Sequence, residues 1–157
     1  MKILIYNSGG GLGDSIQLFD FITSLSEKFG NENIYYLTAH NDHFNNSLKD
    51  YNISLKELKT DISYFGFRFW HFFKSKDKIL SNNLIDRFNL IIDLQSKFRN
   101  TIILKQFPSD NFYSPTFNFK FCSNKNNYLL TKYNAKNIIL NLEMMLKTTI
   151  LCKKYDI

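Results

Sequence analysis

A run of glycines that ends on a carboxylate is the part of this sequence best suited to chemistry. Residues 7–14 read Asn-Ser-Gly-Gly-Gly-Leu-Gly-Asp, so Asp14 follows a loop that contains Gly10, Gly11 and Gly13. Glycine lets the backbone turn sharply and lets a ligand approach it without meeting side chains. Asp14 is either a capping residue at the start of the next helix or a base that removes a proton from a substrate. From the loop alone, we favour capping.

The spacing of these glycines does not fit the common phosphate-binding loops. A dinucleotide fingerprint needs a third glycine where this chain has Asp14, and a P-loop needs Lys followed by Ser or Thr after its last glycine. A carboxylate at this point would also repel a phosphate. A small nucleotide-binding domain is therefore the weakest of the hypotheses that the loop allows.

The segments around the loop predict an α/β fold with a parallel sheet and flanking helices. Residues 3–6 are a short apolar run typical of a buried strand, residues 15–29 have the pattern of an amphipathic helix, and residues 34–39 predict a second strand. Further along, the sequence predicts strands at 90–95 and 112–114 and helices at 101–107 and 134–151, with a short helix, a turn and a short strand near Ile53 within 44–60. Loops at the carboxyl ends of parallel strands form the ligand crevice, so Asp14 and the residues after Gln95 are candidates for one site.

Composition bounds the broad class of this protein. Its 157 residues suit one domain, and the net charge of +6 comes from 20 Lys and Arg against 14 Asp and Glu. Arginine is rare and not clustered, so we expect no nucleic-acid partner. Cys122 and Cys152 are isolated, and no signal peptide or membrane-spanning stretch is evident, so we expect a cytoplasmic protein.

Two other clusters have more than one interpretation. His40 and His43 have the spacing of metal ligands, but a third ligand is not evident nearby, so we expect no metal and favour a loop or capping role. Phe65, Phe69, Phe72 and Phe73 have helical spacing and are followed by lysines. We favour a helix whose aromatic face packs in the core; the alternative is a helix that contacts a membrane surface or an acceptor.

Two of these segments together resemble the family 9 glycosyltransferases, which include the lipopolysaccharide heptosyltransferases. The first is the strand, glycine loop, Gly13-Asp14 and amphipathic helix. The second is Phe88-Asn-Leu-Ile-Ile-Asp-Leu-Gln95 followed by Lys97 and Arg99, which is similar to the family's strand ending in Asp-Leu-Gln. The helix predicted from Asn134 resembles the one that closes the family's N-terminal domain, so the resemblance spans most of the chain.

The resemblance implies one Rossmann-like half of a GT-B fold, residues 1–157, with the C-terminal donor domain absent. It implies inverting transfer from a nucleotide-sugar such as ADP-heptose, as co-substrate rather than bound cofactor, to a saccharide or lipid-linked glycan acceptor of the cell surface. Asp14 would be the catalytic base, and Gly10, Gly11, Gly13, Gln95, Lys97 and Arg99 would contact the acceptor. Activity would need a donor domain in trans, and peripheral contact with the inner membrane is expected.

The sequence also departs from the family's pattern at three positions. Asp20 stands near a usual proline, Ser96 stands where glycine is common, and Asn7 occupies a position that is often basic. These departures bear on the identity of the acceptor more than on the fold. The alternative hypothesis is a non-catalytic fragment that acts as a binding or interaction module.

Overall fold

The described residues form one parallel sheet with helices on both faces. The computed structural model describes residues 1–7, 11–38, 43–51, 53–58, 66–74, 87–95 and 97–123. The strands are β1 (Ile3–Asn7), β2 (Ile34–Thr38), β3 (Lys56–Glu57), β4 (Phe88–Asp93) and β5 (Ser109–Tyr113). The α-helices of these segments are α1 (Leu12–Gln17), α2 (Phe19–Phe29), α3 (Phe98–Leu104) and the four-residue α4 (Thr116–Phe119), and short 3-10 helices lie at Asn31–Asn33, Lys49–Tyr51 and Phe69–Phe73.

The order of the strands in the sheet is β3-β2-β1-β4-β5, and every neighbouring pair is parallel. The chain starts at β1 in the middle, moves outward to β2 and β3, and then returns to pair β4 with the other side of β1. The direction of winding therefore reverses between β1 and β4. This confirms the predicted α/β, Rossmann-like parallel sheet, and sheets of this kind bind ligands at the reversal point.

Successive side chains of β1 point to opposite faces of the sheet, so β1 contributes to a hydrophobic cluster on each face. Ile3 and Ile5 pack with Phe21, Ile22 and Leu25 of α2 in one cluster. The intervening residues pack on the other face with α3, in a cluster that includes Leu4, Tyr6, Phe67, Ile103 and Leu104. Every residue of β1 is buried, as a central strand covered on both faces requires. We refer to these sides as the α2 face and the α3 face.

Several predicted helices differ from the observed ones. The helix predicted over residues 15–29 is two helices, because the N–H of Leu18 donates to the carbonyl of Ser15 at 3.1 Å and tightens the turn between α1 and α2. The helix predicted at 101–107 begins earlier, at Phe98. Within 44–60, residues 43–48 form turns, the short helix is the 3-10 helix Lys49–Tyr51, and the short strand expected near Ile53 begins three residues later, as β3. The helix predicted at 134–151 lies outside the described residues.

The prediction of a core-facing aromatic helix is wrong for the residues that the structure describes. Phe69–Phe73 is a 3-10 helix, and Phe69, Trp70, Phe72 and Phe73 are all exposed. A 3-10 helix has about three residues per turn, so positions four apart no longer share a face. Phe65 lies outside the described residues.

Candidate functional site

The carboxyl ends of β1 and β4 meet through a hydrogen bond between two amide side chains. Nε2 of Gln95, just after β4, donates to Oδ1 of Asn7 at 2.7 Å, and Nδ2 of Asn7 donates to the hydroxyl of Tyr36 at 3.2 Å. Asn7 is buried, whereas Gln95 is half-buried at the edge of the sheet. The structure thus places Gln95, a predicted site residue, at the point where the winding of the sheet reverses.

Asp93, the last residue of β4, is a fully buried carboxylate that joins three elements. Its Oδ2 accepts hydrogen bonds from the hydroxyls of Thr101 in α3, at 2.7 Å, and Ser114 after β5, at 2.9 Å. Its Oδ1 accepts the backbone N–H of Gln95 at 2.9 Å. The hydroxyl of Thr116 lies 2.6 Å from that of Thr101 and extends the network. Asp93 therefore fixes the backbone that carries Gln95 and the start of α3.

Burial decides the ionisation of Asp93. Desolvation of the carboxylate raises the pKa of Asp93 from 3.8 to about 6, against the lowering effect of its hydrogen bonds with Thr101, Gln95 and Ser114. Sequence reasoning missed this role. The Asp-Leu-Gln segment was the available signal, but the partners on α3 and after β5 become neighbours of Asp93 only in the fold.

Asp14 lies in the first turn of α1 and is exposed to solvent. Its Oδ2 accepts the backbone N–H of Gly11, the residue that begins the helix, at 3.3 Å. Asp14 thus makes a capping contact from the third helical position rather than from the N-cap itself. Among the described residues its Oδ1 accepts no hydrogen bond, so one carboxylate oxygen remains open to a ligand. Capping of α1 and removal of a proton from a substrate are therefore compatible roles for Asp14.

The glycines that the structure describes leave space beside Asp14. A Cβ at Gly13 would meet nothing within 4 Å, and one at Gly11 would meet Asp14 Oδ2 only at an ordinary 3.5 Å. Gly11 has φ −88° and ψ 151°, which any residue can adopt. Neither the backbone nor packing within the described residues therefore requires glycine at these two positions. Gly10 lies outside the described residues.

Replacement of Gly13 by alanine tests whether the glycine is required for folding or for ligand binding. We expect Gly13→Ala to raise the free energy of unfolding by up to about 1 kcal/mol, because alanine is the better helix former and meets no neighbour. Urea unfolding measures this. If the space serves a ligand, the same variant binds it more weakly. A loss of stability would show that the glycine is needed by the fold instead.

The two basic residues predicted for the site occupy different surroundings. Lys97 is exposed at the N-cap of α3, where its carbonyl accepts the N–H of Thr101 at 3.1 Å. Arg99 is half-buried, with its guanidinium carbon 5.5 Å from the centre of the Phe69 ring. Lys97 lies two residues beyond Gln95 at the reversal point, whereas Arg99 lies against Phe69 at the start of the exposed 3-10 helix Phe69–Phe73.

An open cavity beside α1 is a further feature that sequence reasoning did not find. It has a volume of about 420 Å³, in the range of small-molecule sites. Its lining combines an aromatic pair and a carboxylate with aliphatic side chains: Ile16, Phe19, Asp20, Leu48 and Tyr51. The cavity therefore lies between the α1–α2 segment and the 3-10 helix Lys49–Tyr51.

The described residues show no group of three His, Cys, Asp or Glu side chains able to hold a metal ion, and His40 lies outside them. Within the same segments, the helices are too short or too polar to cross a bilayer. Comparison with known proteins adds no relative: no family model, curated protein or solved structure matches this chain.

Proposed function

We propose that this chain is the acceptor-side domain of a glycosyltransferase with a GT-B arrangement, similar to the family 9 heptosyltransferases. The observation that supports this most strongly is the position of Asp14. An exposed carboxylate with one free oxygen follows β1, and the amide of Gln95 follows β4, on the two sides of the reversal point. Parallel sheets of this topology bind ligands there.

The proposed reaction is an inverting transfer from a nucleotide-sugar. The oxygen of an acceptor hydroxyl forms a bond to the anomeric carbon while the bond from that carbon to the nucleotide diphosphate breaks. Asp14 takes the hydroxyl proton as the new bond forms, and the diphosphate leaves with the electron pair. The donor site would be supplied by a second, donor-binding domain, in this polypeptide or in trans.

The acceptor would be a glycan that carries hydroxyls and at least one anionic group. Nε2 of Gln95 donates to Asn7, and the side-chain oxygen Oε1 of Gln95 can accept a hydrogen bond from a sugar hydroxyl. Lys97, exposed two residues further on, suits a phosphate or a sugar-acid carboxylate. Gly11 and Gly13 leave room for the sugar ring next to Asp14.

Binding of an acceptor by this domain alone tests the proposal. The probe is a phosphorylated lipopolysaccharide core oligosaccharide, titrated by NMR or calorimetry beside its dephosphorylated form. We expect Gln95→Ala to weaken binding of both forms about 5- to 10-fold, the effect of one lost hydrogen bond. Lys97→Gln should weaken binding of the phosphorylated form alone. Lys49→Gln, an exposed lysine on the α2 face, is the matched control.

Two outcomes would contradict the proposal. If neither oligosaccharide binds, the domain does not hold a glycan acceptor, and the non-catalytic interaction module becomes the better hypothesis. If binding is unaffected by Gln95→Ala and Lys97→Gln, the acceptor binds elsewhere on the domain.

A further inference from the structure

The 3-10 helix Phe69–Phe73 presents an unusual density of aromatic side chains to solvent. Phe69 is 70% exposed, Trp70 59%, Phe72 44% and Phe73 86%. Large apolar side chains that are exposed singly are normal, whereas a contiguous group of them marks an interaction site. We call these four residues the aromatic turn.

Buried side chains and hydrogen bonds fix the position of the aromatic turn. His71 at its centre is buried, and its Nδ1 accepts the backbone N–H of Arg68 at 2.7 Å. Phe67, just before the turn, is fully buried in the α3-face core. Nε2 of Gln106 donates to the carbonyl of Phe72 at 3.2 Å and ties the turn to the end of α3. The exposed rings are therefore displayed by an ordered element.

A second aromatic group continues this surface along α3. Phe98 and Phe117 are 48% and 63% exposed, and their ring centres lie 5.4 Å apart. Phe121 lies 5.8 Å from Phe98. Phe98 and Arg99 are consecutive, and Arg99 lies over Phe69, so α3 connects the two groups.

The charged residues of the two described segments that carry these aromatic groups, 66–74 and 97–123, are mostly basic. Segments 66–74 and 97–123 contain a single acidic residue, Asp110, which pairs with Arg87 at 2.8 Å. They contain a set of basic residues, namely Arg68, Lys74, Lys97, Arg99, Lys105 and Lys120. Lys105 lies 5.8 Å from the centre of the Phe121 ring, so cations and aromatic rings are interleaved.

From this combination we infer that the aromatic turn and the adjacent α3 surface dock the protein on the surface of an anionic lipid bilayer. Exposed Trp and Phe enter the boundary between headgroups and acyl chains, and the surrounding lysines and arginines contact anionic headgroups. Single-stranded nucleic acid also combines stacking with positive charge, but it follows a charged groove. Here the rings protrude, and those of Phe72 and Phe73 meet edge to face at 85°.

Trp70 makes this inference directly measurable, because it is the only tryptophan of the chain. We expect its fluorescence emission to shift to shorter wavelength when phosphatidylglycerol-containing vesicles are added to the full chain, and to be quenched by brominated acyl chains. Phosphatidylcholine vesicles should cause little shift, and added salt should weaken the response.

Two variants separate the aromatic and the electrostatic contributions. We expect Phe73→Ser to weaken vesicle binding at least about tenfold, since the most exposed ring no longer enters the bilayer. Lys120→Glu should weaken it more than about fivefold, since each basic residue near an anionic surface contributes on this scale. The matched controls on the α2 face are Tyr51→Ser, which removes a ring 63% exposed, and Lys49→Glu.

The outcomes are distinct from those of the acceptor-binding test. An unshifted Trp70 emission with anionic vesicles at low salt would overturn the inference, as would equal losses in the controls. A shift produced by single-stranded DNA instead would identify a nucleic-acid surface. A shift that depends on protein concentration without lipid would identify a contact between copies of the chain. Either result would also overturn the membrane inference, whether or not an oligosaccharide binds at Gln95.

Discussion

Acidification is expected to stabilise this domain relative to its Asp93→Asn variant, by roughly 2–3 kcal/mol between about pH 7 and about pH 4. Burial raises the pKa of Asp93 from 3.8 to about 6, so the folded state binds its proton more tightly than the unfolded chain does. The stabilising contribution is fully present below about pH 4 and is lost as the pH rises through about 6. This is the reverse of the usual behaviour of a carboxylate in an ion pair.

Urea unfolding of both proteins across this pH range measures the effect. Asp93→Asn preserves the shape of the side chain: its carbonyl oxygen still accepts the N–H of Gln95, and the hydroxyls of Thr101 and Ser114 can rotate to accept from the new amide. The variant should therefore fold and be at least as stable as the parent near neutral pH.

An exposed carboxylate provides the control for the loss of one negative charge. Asp50→Asn, in the 3-10 helix Lys49–Tyr51, should retain the pH dependence of the parent. If Asp93→Asn retains it as well, the buried carboxylate is not the group that titrates. If the parent instead loses stability relative to Asp93→Asn between about pH 6 and pH 4, the sign of the Asp93 contribution is wrong.

The sheet could be predicted from the sequence because each central strand is an apolar run that is recognisable without knowing its neighbours. Residues 3–6 and 90–92 are uninterrupted apolar runs, as strands covered on both faces require, and both are buried. The helices were less predictable at their boundaries. The break at Leu18 depends on one backbone hydrogen bond, and an amphipathic pattern continues through it unchanged.

The candidate site could be predicted only in part, for a similar reason. Gln95 comes two residues after β4, and Asp14 lies in the first turn of α1, the first helix after β1, so the order of strands and helices predicts that both follow carboxyl ends of neighbouring strands. The role of Asp93 depends on Thr101 and Ser114, which its network brings together from different elements. The exposure of the aromatic turn could not be predicted, because helical spacing of aromatic residues is equally compatible with a buried α-helix and with an exposed 3-10 helix.

The two carboxylates at this end of the sheet have opposite environments, which suits different tasks. Asp93 is buried and uses both oxygens to hold β4, α3 and the segment after β5 together. Asp14 is exposed, and within the described residues the only hydrogen bond of its side chain is with Gly11. A group that must receive a proton from a substrate needs a free, accessible oxygen, and Asp14 has one.

On the proposed glycosyltransferase function, replacement of Asp14 by asparagine is expected to abolish most sugar transfer while the fold is preserved. With a donor-binding domain supplied in trans, we expect Asp14→Asn to lower the transfer rate at saturating acceptor about 10²- to 10⁴-fold, the usual contribution of a general base. Asparagine can still accept the N–H of Gly11, so the capping contact, the free energy of unfolding and acceptor binding should be nearly unchanged.

This variant distinguishes catalysis from capping because the two roles respond differently. Asp14→Ala removes both, so it should reproduce the loss of transfer and also lower the free energy of unfolding by about 0.5–1 kcal/mol, through the lost hydrogen bond and the lost negative charge in the first turn of α1. Glu27→Gln, an exposed carboxylate on α2, controls for the change of charge. If Asp14→Asn transfers sugar at the parental rate and only Asp14→Ala differs, through its stability, then Asp14 is a capping residue and the base is another group.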